Sequence, residues 1–350
     1  MQIKQTMISE LTKTVQQNCH IADAIHAGDY TLCIYLLKMR EFYRWEKDET
    51  FSTNLPNNTV GKWLRQREEL WDKLETTGYQ NIKFGNESLS PFESAPINKN
   101  LMQHQLVYSG GVGINNRPHF FLAELDLYEE HDDYTLYVAG KEYARDMSAP
   151  PAMSHQNKIY IRKESFRRLL WEKLETWRWN KPENALGRAF ACYDCENNLD
   201  TALTQMTDAE VTNVIQHERG EIQAGNLLGE EWHDLLFSLP HSKASIMLRA
   251  VRDHLADSIT TLPTLLTLNS TPSWHFYFGN LNNMRKDLYP SIIKGYNEWN
   301  ETGSLSKMTK VVNKGKEHWL NLCIQILQIN NSNLKSQQIE IQNLIENSRL

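Results

Sequence analysis

The chain reads as mainly α-helical: helical bundles with a small antiparallel β hairpin or sheet inserted in the N-terminal half, α+β overall. Three observations predict this. Apolar residues recur at helical spacing over most of the 350 residues, as in Met7, Leu11 and Val15 or Met247, Val251 and Leu255. The segment FLAELDLYE at 121–129 alternates with period two instead. A polar stretch at 196–207 separates two helical blocks. The expected domains are therefore 1–200, with the β insertion at about 103–140 and 158–162, then a helical bundle at 201–330 and a tail at 331–350.

In order along the chain, Gly28-Asp29 opens a helix predicted over 30–45, YTLCIYLLKMREFYRW. It is apolar nearly all round its first half, the pattern of a central helix buried on several sides. Arg40 and Tyr43 project to the same side as Leu36, which makes Arg40 a candidate buried counter-ion. A helix follows at 60–75, and then an Asn-, Ser-, Pro- and Gly-rich loop at 85–100. In the β region, Phe121, Ala123, Leu125 and Leu127 share one side. Leu122, Glu124 and Asp126 share the other, which should be wet. The acidic turn at 129–133 returns the chain as a partner strand. Gly110-Gly111-Val112-Gly113 precedes a strand rather than a helix and lacks a lysine, so it reads as a turn and not a phosphate loop. The run at 148–154 is a stiff connector. Helices are expected at 164–177, 183–195, 274–287, 291–299 and 305–328, and three more within 207–263.

Composition excludes several classes. Net charge is −6 and the basic residues are dispersed, so nucleic acid is not an expected partner. Apolar runs fall far short of the ~20 residues of a membrane span. The first residues lack the apolar core of a signal peptide, so the expected compartment is the cytoplasm. Five cysteines are an odd count, and Cys192-x-x-Cys195 reads as two reduced thiols rather than half a zinc site.

Chemistry is sought in 207–263. Thr207 with Glu210 reads as a capping box opening a helix. At ~100° per residue, Val211, Ile215 and Ile222 fall on one side with Glu218 among them. An acid facing a core must be paired, protonated or metal-bound. Glu221 lies at the margin beside His217. His254 flanks the apolar side of the helix at 242–262, whereas Asp253 and Asp257 point away to solvent. Glu230 and His233 also read as surface. His275 stands among aromatics. The expected metal set is Glu218, Glu221, His217, His254 and His275; carboxylates alone suit magnesium or manganese, and added histidines suit iron or zinc. His20 with Asp23, and His26 with Asp29, are secondary metal pairs, though capping explains the acids as well. His217-Glu218 lacks the second histidine of a zinc-protease motif.

The segments NCHIADAIHAGDYTLCIYLLKMREFYRWE, QHERGEIQAG, LLGEEW, RAVRDHLADSITTLP and WHFYFGNLNNMRKDLYP resemble an uncharacterised family of bacterial proteins of similar length. The resemblance implies a cytoplasmic protein with an N- and a C-terminal domain. It implies no activity, cofactor or catalytic residue. Two readings of function stand side by side. One is a metal-binding helical protein with metal-dependent activity. The other is a non-catalytic interaction or scaffold protein, binding a protein partner or a second copy, with Glu218 in a structural ion pair with Arg40 or another arginine.

Overall fold

In a computed structural model of the protein, residues 2–113, 116–155, 157–239, 242–329 and 333–350 are described. The chain divides into two compact units. The first comprises 1–173 and 195–207, the second 174–194 and 208–350.

The first unit begins with α1 (Gln2–His26), α2 (Leu32–Glu46) and α3 (Asn57–Leu74). The expected loop at 85–100 instead holds a hairpin, β1 (Ile82–Phe84) with β2 (Glu87–Leu89), and a helix, α4 (Ser94–Leu101). Gly85, at φ +59°, followed by Asn86 supplies the tight turn, a two-residue loop that favours positive φ. A sheet then occupies the middle of the chain: β3 (Leu106–Val112), β4 (Pro118–Glu130), β5 (Thr135–Arg145), β6 (Ala152–His155) and β7 (Lys158–Arg162), in spatial order β3-β4-β5-β7-β6. The β structure is thus larger than a hairpin. The stiff connector contributes the edge strand β6, and β7 returns parallel to β5.

One face of this sheet carries Tyr108, Phe120, Leu122 and Ala144, packed against Leu11, Val15, Cys19 and Ala22 of α1. The other carries Val107, Phe121, Ala123, Tyr137 and Tyr160. The first half of β4 is therefore dry on both faces, because α1 covers the side expected to be wet. The second half is exposed. Glu124 accepts from the Tyr143 hydroxyl at 2.7 Å, and Asp126 pairs with Lys163 at 3.2 Å.

Helix α2 departs from expectation. Its second half is buried, but its first half is open: Leu32 is 69% and Leu37 65% exposed, with Ile34 and Leu36 also exposed. Apolar periodicity shows which faces could be buried, not whether another element covers them. Arg40 is half-buried in this unit, while Glu218 belongs to the second.

Two helices cross the division between units: α5 (Lys163–Asn180) and, after α6 (Ala185–Phe190), α7 (Leu199–Ser238). Thr207 is interior to α7, not its cap; its hydroxyl donates to the Leu203 carbonyl at 2.7 Å. Glu210 is correspondingly buried and accepts from Ser273 at 2.6 Å. The helix kinks at Gly229, whose φ of +68° and ψ of −174° interrupt the α pattern. Beyond the kink, Trp232 is buried while Glu230 and His233 lie on the surface.

The second unit continues with α8 (Lys243–Ala256), capped by Ser242. A π turn at Asp257–Thr261 follows, then α9 (Leu262–Leu268), α10 (Thr271–Asn280), α11 (Asn283–Leu288), α12 (Pro290–Thr302), α13 (Ser306–Leu327) and α14 (Leu334–Asn347). The single helix expected at 274–287 is two, because the Asn282 side chain accepts from the Arg285 amide and starts a new one. Residues 330–332, at the head of the expected tail, lie outside the described residues. The rest of that tail folds into the unit: Ile341 and Ile345 of α14 are fully buried in its core beside α8. Among the described residues no helix is long and apolar enough to cross a membrane.

Candidate functional site

Among the described residues, each unit holds buried charges gathered into a cluster. The second unit's cluster is centred on Asp257, the first residue of the π turn. Pro263 has no N–H to offer the Ile259 carbonyl, so a regular α pattern cannot run through this segment. The Thr260 hydroxyl donates instead to the Gln216 carbonyl of α7 at 2.6 Å. Gly220 lets the two helices approach, since a Cβ there would collide with the Ala256 carbonyl and the Thr260 hydroxyl. Single-turn π segments recur at functional sites.

Asp257 is 1% exposed. Its Oδ1 faces His217 Nδ1 at 2.8 Å, and its Oδ2 accepts from the Tyr277 hydroxyl at 3.0 Å and from Arg285. His217 Nε2 lies 3.5 Å from Glu221, which accepts from Arg252 at 2.8 Å. Burial opposes the Asp257 charge, but Arg285 and His217 outweigh it and hold the carboxyl well below its usual range. Burial likewise opposes the His217 imidazolium, yet Asp257 and then Glu221 hold it well above its ordinary value. With a carboxylate at each ring nitrogen, His217 is a doubly protonated cation. It has no lone pair for a metal or for a substrate proton.

The expected metal set is not gathered there. Among the described residues, no group of three or more His, Cys, Asp or Glu side chains is placed to hold a metal ion. His217 and Glu221 meet, and Glu218 is half-buried on the same helix. His254 Nε2 donates to the Arg285 carbonyl at 2.9 Å, and its ring stacks on Trp319 at 4.7 Å. Burial and then Arg285 push its pKa down to about 3, so it is neutral. His275 Nδ1 accepts from Tyr296, whose oxygen in turn accepts from Arg188 at 3.1 and 3.0 Å; burial and then Arg188 lower His275 to about 4. Of the secondary pairs, His20 and Asp23 turn to other partners, and His26 and Asp29 meet. His20 engages Arg67 at 2.6 Å, while Asp23 accepts from the Met147 amide at 2.9 Å. His26 pairs with Asp29 at the surface, 3.0 Å apart.

Sequence reasoning passed over Asp257, placing it on the wet side of a helix. That helix is covered on both sides, by α7 through His217 and by α10 and α11 through Tyr277 and Arg285.

The first unit's cluster surrounds a cavity of about 170 Å³. Its walls come from α2 (Glu41, Arg44, Trp45), the loop at 48–51, the end of β5 (Arg145), α5 (Glu164, Arg167, Arg168) and the first turn of α7 (Asp200). Glu164, Arg167 and Arg168 share one face of α5 through i, i+3, i+4 spacing. Arg145 is 1% exposed; its backbone is clamped by the Gln16 side chain, and its guanidinium lies over Trp45 at 4.8 Å. Burial and then Arg168 lower its pKa to about 10, so it remains a cation. Arg168 is 6% exposed and donates from Nη2 to the Ser148 and Ala149 carbonyls at 3.1 and 2.9 Å. Ala149 sits at φ +40°, a strained conformation for a residue with a Cβ. The Asp146 carboxylate accepts its N–H at 2.7 Å, so both of its backbone polar groups are held. Among the described residues, Arg168 Nε and Nη1 find no acceptor although both are buried. This cavity is invisible in the sequence because its wall is assembled from four separated segments, 41–51, 145, 164–168 and 200. The local pieces are Glu41-x-x-Arg44 and Glu164-x-x-Arg167-Arg168.

The chain matches the N-terminal domain of a family of unknown function, DUF6866, over residues 10–162, and that family's C-terminal domain over 167–348. It belongs to this family. Nothing among curated proteins or solved structures matches it. The two matched segments fall on either side of the start of α5. In DUF6866 terms the Asp257 cluster lies wholly in the C-terminal segment. The cavity draws Glu41 to Arg145 from the N-terminal one, and Arg167, Arg168 and Asp200 from the C-terminal one.

Proposed function

We propose that the protein is a binding protein whose first unit receives a small anionic ligand in the cavity beside Arg168. One observation carries the reading: a buried arginine lines a cavity, and among the described residues its Nε and Nη1 have no hydrogen-bond acceptor, the nearest carboxylate being that of Glu172, 3.8 Å from Nε. An unmet buried donor of a charged group costs more than an ordinary hydrogen bond returns, roughly 1–3 kcal/mol or more, and an anion would remove that cost. The aromatic walls are already engaged. Trp45 stacks on Phe42 at 5.6 Å and beneath Arg145, and Phe51 packs with Trp171 at 5.6 Å and under Arg167. That leaves recognition to the guanidinium rather than to stacking of a flat ligand, and the cavity's size suits a small molecule.

The metal-dependent reading finds no support among the described residues. The Asp257 cluster fits the alternative better, as a structural ion network, with Asp257 rather than Glu218 at its centre. The test is calorimetric titration with sulfate. A single saturable site is expected in the wild type and its loss in Arg168→Gln; equal binding by both proteins would refute the assignment.

A further inference from the structure

Some of the cavity's charges are closely paired. Arg44 donates to Glu41 at 3.2 Å, and Arg167 to Asp200 at 2.9 Å. Arg145 stands 3.9 Å from Glu142, which also takes Arg162 at 2.8 Å. Among the described residues lining the cavity, Glu49 and Glu164 make no ion pair, and Arg168, like Arg145 and Asp48, makes only a long one. Among the described residues, the carboxylate beside Arg168 is that of Glu172, at 3.8 Å, on a side chain 40% exposed to water. Glu164 accepts the Glu142 N–H at 2.6 Å but makes no ion pair among the described residues. Arg168 and Glu164 are one turn apart on the same face of α5 and line the same cavity.

Resting on the reading that this cavity binds an anion, we propose that its ligand is a small oxyanion taken up together with one proton, the oxyanion on Arg168 and the proton on Glu164. An ionised Glu164 offsets the Arg168 charge and repels an anion. A protonated Glu164 leaves the guanidinium uncompensated and turns an acceptor into an O–H donor. The proton comes from solvent and no covalent bond to the ligand is formed. The surroundings support the titration. Burial and then Glu142 raise Glu164, against the Glu142 amide, Arg145 and Lys141, to about 7. The other charged groups lining the cavity are Arg167 of α5, Glu41 and Arg44 of α2, Asp48 and Glu49 of the loop, and Asp200 of α7. Most of these are paired with each other.

Sulfate and acetate are suitable probes, as neither titrates near neutrality; one stands for tetrahedral oxyanions and the other for carboxylates. Whichever binds should bind about tenfold more weakly near pH 8 than near pH 6, the linkage expected of one group titrating at about 7. Glu164→Gln should bind it with no pH dependence. In the wild type, calorimetry in two buffers of different ionisation enthalpy should report about one proton taken up per anion near pH 8; this arm does not depend on the variant folding. Wild-type affinity that is flat with pH, an uptake of zero protons, or a tenfold change persisting in Glu164→Gln overturns the proton linkage while leaving the anion site standing. Failure of both anions to bind at either pH overturns the site itself.

Discussion

The cluster around Asp257 and the cavity beside Arg168 use the same kinds of side chain and differ in closure. At Asp257 the carboxylate meets His217, Tyr277 and Arg285, and Glu221 meets His217 and Arg252. At the cavity, Arg168 has two buried nitrogens without an acceptor among the described residues, against one each on Arg252 and Arg285, and Glu164 makes no ion pair there. A closed network holds a shape, since breaking it strands a buried charge. An open one has polar groups to spare, which is what a ligand requires. Perturbed acids and histidines therefore do not by themselves mark a site of chemistry; the more strongly perturbed of these two clusters has the less left to offer.

The contrast can be broken or sharpened by substitution. The largest effect is expected at Asp257→Asn, which leaves Arg285 and His217 without their counter-ion and should cost ~3–5 kcal/mol in denaturant unfolding. Its counterpart in the cavity, Glu164→Gln, should cost nothing, and the pH dependence gives the sign. A carboxyl raised from 4.5 to about 7 weakens the folded state above pH 4.5, most fully above 7. The variant's stability relative to wild type should therefore rise between those values; a constant difference would contradict the burial of Glu164. Gly220→Ala should lose ~1–3 kcal/mol by forcing α7 from the π turn, measured the same way. His217 is raised when folded, so its contribution is full below about 6.5 and is lost as pH rises through its higher folded value. His217→Asn should thus be less stable than wild type at neutral pH, with the gap closing on the alkaline side. The smallest effect belongs to Leu32→Ser and Leu37→Ser on the open half of α2, within ~0.5 kcal/mol of wild type in the same assay.

How much of this was legible in the sequence follows from how local each feature is. Helices such as α3 and α13 declare themselves by period, and the acidic turn before β5 by composition. The β1–β2 hairpin carried a signal, Gly85-Asn86, that was outweighed by the polar texture around it. His217 and Glu221 were singled out correctly as neighbours, because i, i+4 spacing on one helix is a local fact. Asp257 was not, because a helical projection cannot show which faces another helix covers. The same blindness, with opposite sign, made the first half of α2 look like core when it is open, and the last helix look like a tail when Ile341 and Ile345 are core. The cavity needs α2, β5, α5 and α7 to be brought together before Arg168 means anything.

The difference between the closed and the open cluster is tested most directly by one sulfate isotherm, recorded near pH 6 on wild type, Arg168→Gln and His217→Asn. One saturable site in the wild type, absent in Arg168→Gln and intact in His217→Asn, is the predicted result. Binding that survives loss of Arg168, or that disappears with His217, would contradict it.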